Sequence, residues 1–100
     1  MRIHLHRLSP PDASGLIGEF FTNSDGRLEG GSALKGSEFT IGVYEWTFFV
    51  GDYFAYKGTF TSGTPFLDLI PIRFGIDNPD NHYHVPLLVS PWSFSTYRGS

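Results

Sequence analysis

The sequence contains no cysteine in its 100 residues. That excludes a disulfide framework, a thiolate metal site and a cysteine nucleophile together, and it fits a reducing compartment. No apolar run approaches the roughly 20 residues needed to cross a bilayer, so a spanning helix is not expected. The opening segment, Met1 to Leu8, alternates apolar with polar and has no continuous apolar stretch of the signal-peptide kind. Basic residues are few: seven Lys and Arg stand against ten Asp and Glu, for a net charge of -3. Nothing forms a basic stripe, which argues against a nucleic-acid partner. What the sequence has instead is material for a core. Hydrophobic residues make up 40% and aromatics 17%, chiefly Phe and Tyr, which suit half-buried pleated positions. The length suits a single domain over residues 1–100.

Apolar residues recur with a period close to two along most of the chain, the mark of strands. Met1, Ile3 and Leu5 face one way, and Arg2, His4 and His6 the other. Ser9 to Gly15 reads as a turn, Leu16 to Thr22 as a second strand, and Asn23-Ser24-Asp25-Gly26 as a tight turn. Arg27 to Glu29 reads as a short strand or rim, and the Gly- and Ser-rich stretch from Gly30 to Glu38 as a loop. Phe39 to Val50 carries the heaviest strand signal. The period then changes: Asp52 is placed to cap a short helix and Gly58 to end it. Tyr53 and Tyr56 share a face there and read as core packing. Phe66 to Ile76 is a strand whose Pro71 requires an edge or a bulge. Asp77 to Asn81 reads as a turn, preferred over a calcium-like cluster. His82 to Ser90 and Trp92 to Arg98 are the last two strands, with Pro91 at the corner. Short strands, regular turns and one helix predict an all-β sandwich of two antiparallel sheets.

The strand from His82 has an unusual second face. Tyr83, Val85, Leu87 and Val89 suit a core, which leaves His82, His84, Pro86, Leu88 and Ser90 together on the other side. Pro and Leu beside two His fit a surface packed against another subunit, with a polar cleft in it, better than a solvent face. In the final strand, Ser93, Ser95, Tyr97 and Gly99 alternate with Phe94, Thr96 and Arg98. Two His at i and i+2 occur twice, in the geometry of some zinc sites. For His4 and His6 an exposed polar face is the preferred account. For His82 and His84 these residues alone leave hydrogen-bonded interface histidines and catalysis evenly matched. Arg27 after Asp-Gly reads by itself as a solvated turn residue.

His82-Tyr83-His84-Val85-Pro86-Leu87-Leu88-Val89-Ser90-Pro91, with Ser95-Thr96-Tyr97-Arg98-Gly99-Ser100, resembles the signature of 5-hydroxyisourate hydrolases, a branch of the transthyretin family. The ending Tyr-Arg-Gly-Ser separates that branch from the hormone carrier. Thr22 to Arg27, Gly42-Val43-Tyr44, Asp52-Tyr53-Phe54, and Phe66-Leu67-Asp68 to Pro71-Ile72-Arg73-Phe74 are similar to the family as well. The resemblance covers nearly the whole chain. It implies a transthyretin-like sandwich, a homotetramer with active sites in a central channel, and hydrolysis of 5-hydroxyisourate in urate degradation without metal or organic cofactor. It implies catalytic roles for His84, Arg27 and Ser100. Tyr97, Arg98 and Gly99 would close the pocket on the substrate, with His82 as a neighbour on the same face. The family works in the cytoplasm, periplasm or peroxisome, and the cytoplasm is the expectation here.

The family also begins with a strand carrying a further active-site His, which nothing in this sequence matches. Met1 to Leu8 aligns with the strand after it. The expectation is a sequence that starts downstream of that strand, preferred over a diverged protein. The alternative function is a binding module that holds a small aromatic ligand in the channel without turnover. The Tyr97–Arg98 ending would narrow and charge such a channel, which favours the enzyme.

Overall fold

The computed structural model describes residues 1–23, 40–58, 63–78 and 85–97. Six strands and one α-helix are found there: β1 (Arg2–Ser9), β2 (Gly15–Phe21), β3 (Gly42–Phe49), α1 (Val50–Tyr56), β4 (Leu69–Ile76), β5 (Leu87–Val89) and β6 (Phe94–Thr96). A 3-10 turn at Pro11–Ala13, entered through a cis Ser9–Pro10 bond, joins β1 to β2. The strands form two antiparallel sheets, one of four strands in the order β2-β1-β3-β4 and one of β5 paired with β6. The all-β expectation with one short helix holds.

Alternation along β1 works as the sequence implied. Ile3 and Leu5 are buried, with Leu5 wholly so, while Arg2, His4 and His6 lie on the opposite face. Two buried clusters form under the sheet. Ile3, Phe48, Val50, Phe54, Ile70 and Ile72 make one, and Val85, Leu87 and Val89 of the second sheet pack against it. Leu5, Tyr44 and Ile76 make the other, with Ile17, Phe20, Trp46 and Phe74 around them. The core therefore sits between the sheets, and burial of these side chains is the main stabilising contribution, about 1.5–3 kcal/mol for each large one.

Pro71 lies in β4, an edge strand among the described residues, where its missing N–H costs the ladder nothing. The helix departs from expectation at its start. It begins at Val50, with no side-chain cap, and Asp52 sits inside its first turn. The acceptor that replaces a cap is tertiary: the Asp68 carbonyl takes the amides of Val50 (2.9 Å) and Gly51 (3.0 Å). Gly58 ends this segment at φ +70, as its glycine suggested. Tyr53 is half-buried against the first cluster, but Tyr56 is 87% exposed, so the expected two-residue core stripe holds for Tyr53 alone. The seven-residue helix buries Val50, Gly51 and Phe54, and Tyr56 falls outside that buried side.

Arg7 closes one end of the core. It follows the Ile3–Leu5 parity, and its guanidinium lies 5.3 Å from the Tyr44 ring centre. Its Nε donates to the Ser9 carbonyl (3.0 Å), Nη1 to the Thr40 hydroxyl (2.6 Å) and Nη2 to the Ile41 carbonyl (2.8 Å). Tyr44, fully buried, donates its hydroxyl to the Thr40 carbonyl at 2.8 Å. One cation thereby ties the end of β1 to the entry of β3, where β1 carries a bulge between Arg7 and Ser9.

Candidate active site

β5 and β6 carry the sequence signature, and their register tests its face assignment. Leu87 pairs with Thr96, Leu88 with Ser95 and Val89 with Phe94. Leu87 and Val89 belong to the core side, as expected, which puts Leu88 and Ser95 on the outward face. Tyr97 follows Ser95 by two residues and is 55% exposed. His82 and His84 share the sequence parity of Pro86 and Leu88.

The corner of the hairpin is fixed by Ser90. Its amide donates to the Ser93 carbonyl at 2.9 Å, and its hydroxyl oxygen accepts from the amides of Trp92 (3.3 Å) and Ser93 (3.1 Å). At the other end the Thr96 hydroxyl donates to the Pro86 carbonyl at 2.5 Å. A side chain borne on this hairpin is therefore held from both ends, which suits a site that must be preorganised. An open cleft of about 220 Å³ lies between β4 and the hairpin, lined by Ile72 to Gly75 on one side and by Val85, Thr96 and Tyr97 on the other.

Of the residues singled out from the sequence, Tyr97 is placed on this hairpin beside the cleft. Arg27, His82, His84, Arg98, Gly99 and Ser100 lie outside the described residues. Asp77 is in a bend, and Asp80 lies outside as well.

The opposite face of the molecule carries the other histidine pair. His4 Nε2 lies 2.7 Å from Glu19 Oε2, and its ring meets Phe49 edge-on at 4.6 Å. Arg2 stacks over Phe49 at 4.1 Å and pairs with Asp52 at 3.3 Å. Beyond His6, Glu45 accepts from Arg73 Nε and Nη2, both at 3.2 Å. The face is polar, as expected, but His4 and His6 are half-buried on it rather than exposed, because His4 packs on Phe49 and pairs with Glu19. Among the described residues no group of three His, Asp or Glu side chains is placed to hold a metal.

Sequence reasoning did not single out Arg7, Thr40 or Glu19. The available signal was Arg7 itself, a charged residue at core parity on the first strand.

The sequence profile of the HIUase/Transthyretin family matches residues 1–99. A protein of Rhizobium meliloti named 5-hydroxyisourate hydrolase 2 is 50% identical over 100 residues, covering 100% of this chain and 82% of its own. A 5-hydroxyisourate hydrolase of Halalkalibacterium halodurans is 46% identical over 98 residues, covering 98% of this chain and 82% of its own. Among solved structures, that of an (S)-allantoin synthase superposes with a TM-score of 0.96 at 82% identity over the whole chain. The chain spans only 37% of that longer protein. With a sandwich of this topology and similarity along its entire length, the chain belongs to the HIUase/Transthyretin family.

Proposed function

We propose that this chain hydrolyses 5-hydroxyisourate to 2-oxo-4-hydroxy-4-carboxy-5-ureidoimidazoline, a step in urate degradation. The observation that carries the reading is 50% identity to a 5-hydroxyisourate hydrolase across the full chain. The signature hairpin supports it, because its outward row shares the sequence parity of His84 and its ends are tied by the Ser90 and Thr96 hydrogen bonds.

In this reading His84, as a neutral imidazole, takes a proton from water, a task suited to a group that titrates near neutrality. The water oxygen bonds to a ring carbonyl carbon, and negative charge develops on the carbonyl oxygen. Arg27 holds that charge through its planar guanidinium. The ring C–N bond then breaks, a proton passes to the departing nitrogen, and the carbonyl carbon becomes a carboxylate. Ser100 orients water or substrate. Tyr97, Arg98 and Gly99 close the pocket, and His82 stands beside His84. The step needs no cofactor. The outward face, with Leu88 exposed, is consistent with a homotetramer that encloses the site between subunits. The compartment is the cytoplasm, in keeping with a sequence free of cysteine.

The likeness to an (S)-allantoin synthase adds a place for the reaction. Allantoin differs from the hydrolysis product by one carbon dioxide, so a decarboxylation has to follow. In this reading the chain supplies the compound on which that decarboxylation acts, either within a longer polypeptide or to a separate protein.

The test is turnover of site variants. His84→Ala should lower kcat by about 100-fold or more, the scale of a lost general base. Arg27→Ala should chiefly weaken substrate handling. Near-normal kinetics in both would remove this site from the mechanism.

A further inference from the structure

We draw no further inference here: the strongest candidate, the strip on the outward face of the four-stranded sheet where exposed Phe21 and Leu69 flank Arg2 stacked on Phe49, carries nothing because nothing in the structure shows what covers it.

Discussion

Gly42→Ala tests the packing at the closed end of the sandwich. Gly42 opens β3 against the bulge of β1, and a methyl group there would lie 2.5 Å from the Ser9 carbonyl oxygen and 3.0 Å from Arg7 Nη2. Ordinary contact begins near 3.4 Å, so the carbonyl must retreat by about 0.9 Å. It cannot do so freely. The same carbonyl accepts from Arg7 Nε at 3.0 Å, and the Ser9 hydroxyl oxygen accepts from the Val43 amide at 3.1 Å. Overpacking of this kind costs about 1–3 kcal/mol, and weakening a charged hydrogen bond adds about 1 kcal/mol. The expected loss is thus about 2–4 kcal/mol, a large part of the 5–15 kcal/mol typical of a domain. Urea unfolding at fixed protein concentration would read it, since assembly links stability to concentration. With a slope of about 1.5 kcal/mol per M, the midpoint should fall by about 1.3–2.7 M. In an Arg7→Met background the same substitution should cost about 1 kcal/mol less, because the two residues share a partner. A loss under about 0.5 kcal/mol in the wild-type background would refute the close approach of β3 to β1.

Leu5→Ala, at a wholly buried position in a central strand, should cost about 2–5 kcal/mol in the same assay; a cost below about 1 kcal/mol would contradict its place in the core. Arg73→Ala removes a pair whose Arg side chain is 67% exposed and should change stability by less than about 1 kcal/mol. A larger effect, or one insensitive to added salt, would mean that Arg73 does more than pair with Glu45.

Much of the fold was legible because alternation is a direct record of which face is buried. Met1 to Leu8 read as a strand with Ile3 and Leu5 inward, and Val85, Leu87 and Val89 as core, from parity alone. Pro71 called for an edge or a bulge, and among the described residues its strand is an edge. What could not be read was set by contacts distant in sequence. The helix starts at Val50 because Asp68, well downstream, supplies the carbonyl that its first amides need. Asp52 suggested a local cap, and the tertiary acceptor made one unnecessary. Tyr56 has the spacing of a buried residue, but the short helix buries Val50, Gly51 and Phe54 and leaves Tyr56 exposed. Arg7 was the least expected. Alternation placed it inward, and only the arrival of Thr40, Ile41 and Tyr44 made a charge tolerable there. On the candidate site, parity correctly separated Leu88 from Leu87 and Val89. The roles of His84 and Arg27 came from resemblance, because a His on a strand face and an Arg after a turn have many ordinary uses.

The most direct test of the proposed activity is the decay of freshly generated 5-hydroxyisourate, followed by ultraviolet absorbance with and without the purified chain. The account predicts decay accelerated in proportion to protein concentration and abolished by prior unfolding. Decay at the uncatalysed rate in the presence of folded protein would contradict it.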